Sequence, residues 1–394
     1  MLKSFFAILI ILSSFILVNS KTNAETNKIN PSGCLKNFDQ NRDYFPNKVV
    51  MKYSKRVSIS YHGYYKVIKL NNPWPNSKIN FEFILMQCGS KTPPSFKNLP
   101  VIKIPVNNVA ALSTTQIAFL DKLGLADKIT GISKTSWVNS KTVIENYKRG
   151  NVAQLGMGTD LNLEKLLQIK PEIIFLDGVD NSVISAIKNI KRTKVKTVIV
   201  SDYMEESPLG RSEWIKFFSA FFNLEKKANK FFLPIEKQYL ELEKIITKTS
   251  YKPTVLTGAE YDGLWFLPGG KSFMATFIKD AGAKYIFDDN LNLASVNLSF
   301  EWIYSKANNA DFWINTDNWQ NLNDAIKADK RHRLFKAFKN KNIFNNNAKL
   351  NPFAGNDFWE SAIISPHLIL KDLIKIFHPK TLKNHELVWY HQLK

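Results

Sequence analysis

The chain has 394 residues, 44% of them hydrophobic, which excludes a disordered or fibrous polymer and provides for about two or three domains with sizeable cores. The formal net charge is +20, but the basic residues are spread along the chain, and no basic run is interleaved with aromatics. That pattern argues against nucleic acid; it fits a solvated lysine-rich surface or, as the sharper alternative, attraction to an anionic ligand.

The N-terminus reads as an export signal over residues 1–24. Met1-Leu2-Lys3 is a positive start, Phe5 to Val18 is apolar apart from Ser13 and Ser14, and Thr22-Asn23-Ala24 is a small-residue cleavage site. The apolar run is short for a membrane span, and a retained anchor is the alternative. Cys34 lies well past this run, which argues against lipidation. Cys34 and Cys88 are the two cysteines, and in an exported chain an even pair reads as one disulfide; two unpaired thiols are the alternative.

Residues 25–99 form a first segment. Val49 to Met51, Val57 to Tyr61, Tyr64 to Leu70 and Phe81 to Met86 are β-branched or aromatic runs separated by Asn and Pro clusters, which predicts a small antiparallel extension. From residue 100 to 212, short apolar strands alternate with helices. Val101–Val106, Val109–Leu112, Ile129–Ile132, Ile173–Leu176 and Val195–Val200 are the strands, and Ser113 opens a helix stopped by Gly124. This alternation predicts a parallel sheet covered on both faces. Residues 213–250 carry the longest helical period, from Trp214 to Ile246, with a kink or restart expected at Pro234. Residues 251–394 repeat the α/β texture, with strands at Thr254–Thr257, Trp265–Leu267, Ala310–Asn315 and Ile343–Phe344. Two α/β lobes on either side of one long helix leave a cleft between them.

Five segments in this order resemble one family. "ALSTTQIAFLDKLGLADKITGIS", "DLNLEKLLQIKPEIIFLDG", "SPLGRSEWIKFFSAFFNLEKKANKFF", "LPGGKSFMATFIKDAGAKYIFDD" and "SFEWIYSKANNADFWI" are similar to bacterial periplasmic binding proteins for ferric siderophores, cobalamin and haem. The resemblance covers about residues 100–378; the segment before residue 100 resembles an extension found in one bacterial branch. The resemblance implies two Rossmann-like lobes, an ABC permease in the membrane as partner, a small-molecule metal chelate as ligand, a monomer, no cofactor and a periplasmic location. It also implies docking of the permease by one Glu on each lobe, which the motifs place at Glu164 and Glu301. An ordinary surface Glu at a helix start is the competing reading.

Cleft residues are expected on loops after strands. In the first lobe these are Trp137, Tyr203 and Arg211, with Ser113, Thr114 and Asp177 beside them; in the second they are Tyr261, Trp265, Lys271, Asn356 and Trp359. Wide aromatic faces suit a bulky chelate, and Arg211 and Lys271 suit an anionic ferric catecholate. Core packing is the competing role for each aromatic, and an internal ion pair for Arg211. Tyr203 or Tyr261 is the candidate to ligate a haem iron. The six His residues are scattered, with no pair at helical ligand spacing, which argues against a directly bound metal. No P-loop, dinucleotide fingerprint or G-x-S-x-G elbow occurs, which argues against an enzyme. An exported enzyme or a surface interaction protein built on the extension is the reading outside this class.

Overall fold

The computed structural model describes residues 30–96, 99–178 and 182–394; the expected signal segment, residues 1–24, lies outside them. The extension is a four-stranded sheet of β1 (Val57–His62), β2 (Tyr65–Asn71), β3 (Asn80–Gln87) and β4 (Val101–Ile104). The first three strands form an antiparallel meander, and β4 pairs parallel with β3. The run Val101–Val106, expected to open the first lobe, therefore supplies the last strand of the extension instead. Val49 to Met51 forms no strand. Cys34 and Cys88 are bonded across 54 residues of sequence.

The first lobe holds β5 (Val109–Ala111), β6 (Ile129–Ile132), β7 (Ala153–Gln154), β8 (Ile173–Asp177) and β9 (Lys196–Val200). They lie parallel in the order β7-β6-β5-β8-β9. Ile173 to Leu176 is buried at every position, as a strand covered on both faces requires. Helices α1 (Thr114–Lys122), α2 (Lys141–Lys148), α3 (Leu163–Ile169) and α4 (Ser182–Lys191) connect these strands. A capping box at Ser113 and Gln116 opens α1.

The chain then crosses through α5 (Pro208–Ser212), α6 (Trp214–Ala220) and α7 (Glu225–Ile246). The stretch expected as one helix over 213–250 breaks at Asn223, whose φ of 57° lies in the left-handed region. Beyond that break α7 is continuous for 22 residues and runs through Pro234.

The second lobe holds two sheets. The larger orders β13 (Lys284–Tyr285), β10 (Thr254–Thr257), β15 (Phe312–Ile314), β16 (Ile343–Asn345) and β17 (His391–Gln392), with only β17 antiparallel. The smaller joins β11 (Ala259–Tyr261), β12 (Leu264–Leu267) and β14 (Val296–Leu298). Helices α8 (Phe273–Asp280), α9 (Phe300–Ala307), α10 (Leu322–Ala328), α11 (Lys336–Lys339) and α12 (Pro366–Phe377) complete it.

The extension grips the crossing helices through buried charge. Lys66 is fully buried, and its ammonium donates to the Ala220 carbonyl (2.7 Å), Asn223 Oδ1 (2.7 Å) and Glu225 Oε1 (2.5 Å). Glu213 accepts the backbone N–H groups of Lys52, Tyr53 and Ser54 together with the Lys216 ammonium. Glu205 accepts from the Ser54 hydroxyl, the Lys55 N–H and Trp214 Nε1. Hydrogen-bonded partners of this kind are the condition under which carboxylates tolerate burial.

Candidate ligand-binding cleft

In open α/β sheets ligands collect beyond the carboxyl ends of the strands, where strand order reverses. In the first lobe that point lies between β5 and β8. Gln116 of α1 reaches across it and donates to Asp177 Oδ1 at 2.7 Å. Lost solvation, and then the neighbouring Asp202 carboxylate, push the Asp177 carboxyl up to about 7; Gln116, Ser113 and Arg211 oppose the shift. A small hollow of about 90 Å³, lined by Leu112, Met157, Leu176 and Asp177 among others, opens here.

The carboxyl ends of β10, β15 and β16 frame a hollow of about 650 Å³ in the second lobe. Gly258 follows β10 at φ 80°, and a Cβ there would meet the Phe266 carbonyl at 1.9 Å, so only glycine lets the β11–β12 hairpin fold over. The hairpin turns at Asp262-Gly263, both at positive φ, as a tight two-residue turn requires. It carries Glu260, Tyr261 and Phe266 to the hollow's wall. Asn315, Asp317 and Asn318 follow β15, Asn346 follows β16, and Asn356 and Trp359 come from the loop beyond. Asn315 and Asp317 both sit at φ 59°, a strained conformation of the kind found at ligand sites.

The segment 351–364 joins the lobes. Thr114 Oγ1 donates to the Trp359 carbonyl at 2.9 Å, and Asn351 Nδ2 donates to the Ser136 and Val138 carbonyls. Glu360 accepts the N–H groups of Asn139 (2.6 Å) and Ser140 (2.7 Å). Burial pushes the Glu360 carboxyl up to about 7, against the two N–H groups that favour its ionised form. This bridge borders another hollow of about 580 Å³, lined by Asp121, Lys141, Asp357 and Glu360 among others.

Of the residues expected in the cleft, Tyr261 (70% exposed), Asn356 and Trp359 (45% exposed) line the large hollow. Trp137 is exposed at the lobe junction, with the Lys134 ammonium over its ring, but does not line that hollow. Tyr203 donates its hydroxyl to the Gly178 carbonyl at 2.8 Å and ties together the loops after β8 and β9. Three expectations are corrected. Trp265 is fully buried, stacks on Trp313 at 5.1 Å and donates Nε1 to the Thr257 carbonyl, so it belongs to the core. Arg211 is 6% exposed, pairs with Asp202 at 2.9 Å and lies over the Phe273 ring, so its charge is used internally. Lys271 lines a separate hollow of about 550 Å³ with Lys252, Lys279 and Lys284.

Glu260, Phe266 and Asp317 were not expected. Alternation along Leu264–Leu267 gives exposed, buried, exposed, buried, so the period of two that buries Trp265 turns Phe266 outward. Glu164 and Glu301 are both exposed in the first turns of α3 and α9, whose caps are Asn162 and Ser299. Glu301 pairs with Arg331 at 2.9 Å.

Comparison with known proteins supplies a family. The model described as periplasmic binding protein matches residues 109–350. An uncharacterized lipoprotein of Methanocaldococcus jannaschii is 26% identical over 358 residues, covering 85% of this chain and 83% of the relative. A possible iron-binding periplasmic solute-binding protein from Staphylococcus epidermidis superposes with a TM-score of 0.54 at 20% identity, over 70% of this chain and 99% of that one. A periplasmic haem-binding protein from Pseudomonas aeruginosa gives 0.57 at 13% identity, over 73% and 98%.

Proposed function

The chain belongs to the periplasmic binding protein family, and from that premise we propose that it captures an iron chelate between its lobes and delivers it to an ABC permease, a ferric siderophore being the leading ligand. The observation that carries this reading is the 650 Å³ hollow at the carboxyl ends of β10, β15 and β16. It is large enough for a chelate, and Tyr261, Phe266 and Trp359 present exposed aromatic area to it. The members of this family are substrate-binding transport proteins, which fits a site that binds and releases without chemistry. Haem and cobalamin remain ligands for the same role, and the haem-binding structural neighbour supports the first of these.

Glu164 and Glu301 are the proposed permease contacts, one per lobe. An exposed Glu in the first turn of a helix is stable when free and pairs with Arg on docking. At Glu301 that docking exchanges Arg331 for a permease cation. One relative is named a lipoprotein, which favours a membrane-attached form of this chain. Cys34 and Cys88 are joined to each other, so neither offers a free thiol to a lipid; retention of the apolar run over residues 5–18 is the alternative to its cleavage. Among the described residues no helix is long and apolar enough to cross a membrane.

Two measurements test the proposal. Tryptophan fluorescence is expected to change saturably on adding ferric siderophore, cobalamin or haemin; no response to any of them would overturn it. The double variant Glu164→Ala/Glu301→Ala is expected to abolish uptake into permease-bearing vesicles while saturable chelate binding persists. Lost affinity would remove both residues from the docking role.

A further inference from the structure

We propose that the cleft selects a chelate of zero or positive net charge whose rim offers N–H, O–H or ammonium donors, and rejects polyanionic chelates. This rests on the transport reading above and names the ligand class within it. The first observation is the chemistry of the wall. Glu260 and Asp317 are the ionisable side chains among the described residues lining the large hollow, apart from the Tyr261 phenol, and the rest of its polar lining is mostly Asn side chains. The hollow at the carboxyl ends of the first-lobe strands contributes Asp177 and, among the described residues, no Lys or Arg.

The second observation is the state of Glu260. Its Oε2 atom is hidden from solvent and has no hydrogen-bond partner. The nearest cation is Arg331, 3.8 Å away, and that guanidinium is already closer to Asp329 (2.5 Å) and Glu301 (2.9 Å). Three carboxylates share one guanidinium, so the group keeps negative charge. A carboxylate whose counter-ion is shared in this way penalises a further anion at the hollow's wall, and ligand N–H, O–H or ammonium donors are met by the wall's accessible acceptors, the exposed Asp317 carboxylate among them.

Third, the cations that would welcome a polyanion are spent or elsewhere. Arg211 is buried against Asp202, and Lys271 faces a different hollow. The exposed faces of Tyr261 and Trp359 suit a cation as well as an apolar ring. Among the described residues no three His, Cys, Asp or Glu side chains group as metal ligands, so the acids meet the chelate's rim and not a bare ion. The site thus opposes the chain's net charge of +20, which draws anions to the surface at long range but does not set the selectivity of the hollow.

The test uses the full chain and three iron chelates of graded charge: singly cationic ferrioxamine B, neutral ferrichrome and triply anionic ferric enterobactin, titrated by tryptophan fluorescence at low salt. The cationic or the neutral chelate is expected to bind at least tenfold tighter than the anionic one. Glu260→Gln is expected to narrow that ratio at least fivefold. Asp317→Asn, at an exposed position, is expected to narrow it less and guards against a folding defect in the first variant. Raised ionic strength is expected to shrink the ratio in the parent chain. Equal or tighter binding of the anionic chelate overturns the inference and leaves the transport reading standing. Failure of all three, and of cobalamin and haemin, overturns both.

Discussion

The contact between the extension and the crossing helices, and the hollow in the second lobe, use charge in opposite ways. At the first, Lys66 has three hydrogen bonds for its three donors, and Glu213 is surrounded by backbone N–H groups and an ammonium. At the second, Glu260 has an oxygen without a hydrogen bond and only a share in the Arg331 guanidinium, 3.8 Å away. A charge buried with every valence met holds two pieces of chain in one arrangement; a charge only partly compensated at the wall of a hollow biases which ligand charge that hollow admits.

The largest expected effect breaks the satisfied side. Lys66→Met removes the cation and leaves Glu225 buried without a counter-ion, held by the Asn30 amide and the Tyr61 hydroxyl, at a cost of roughly 3–5 kcal/mol in urea denaturation. Replacing Glu225 as well, with an apolar residue of similar volume, is expected to recover most of that loss. Burial lowers the Lys66 pKa to about 8, against the pull of Glu225. A loss below about 1 kcal/mol for the single variant would mean that the pair is hydrated and the contrast with the cleft is false.

The bridge between the lobes comes next, through Glu360. Burial raises its folded pKa to about 7, from the ordinary glutamate value of about 4.5. The native state therefore binds more protons than the unfolded state between these values. The stabilisation from protonated Glu360 is full below about 4.5 and is lost as pH rises through about 7. Asn139 and Ser140 each donate to a different carboxylate oxygen, so Glu360→Gln keeps an acceptor for one of the two N–H groups, loses the other at a cost that does not vary with pH, and removes the titration. The stability gap between parent and variant is expected to change by on the order of 2–3 kcal/mol from pH 5 to 8, in the direction that favours the variant at high pH. A flat difference would show that Glu360 stays ionised throughout, stabilised by those two N–H groups.

Much of this architecture is legible in the residues. Continuous apolar runs such as Ile173–Leu176 announce parallel strands with both faces covered, and Ser113 and Gly124 bracket a helix. The binding wall is harder to read, for identifiable reasons. Trp265 sits beside a glycine-bearing loop, as a ligand residue would, but the alternation of β12 places it inside and its neighbour Phe266 outside. Arg211 follows a strand end yet finds Asp202, nine residues earlier, a pairing that only the fold of the loop after β9 creates. Glu260 and Asp317 look like ordinary surface acids until β11 and the loop after β15 converge on one hollow. Pairing of β4 with the extension likewise depends on the parallel partner offered by β3, which hydrophobic pattern alone does not specify.

The smallest expected effect lies on the unsatisfied side. Trp359 is 45% exposed, touches Phe358 edge-on at 5.1 Å and joins the first lobe through its carbonyl, which any residue at that position supplies. Trp359→Ala therefore removes aromatic area from the hollow without emptying the core. Stability is expected to stay within about 0.5 kcal/mol of the parent, as for surface positions, while chelate affinity falls by about tenfold through loss of stacking worth roughly 1–1.5 kcal/mol. Calorimetric titration beside thermal melting separates the two quantities. Should the variant melt as early as a core truncation, or bind chelate as tightly as the parent, Trp359 would move to the structural side of the contrast, and the hollow would lose the aromatic face nearest the first lobe.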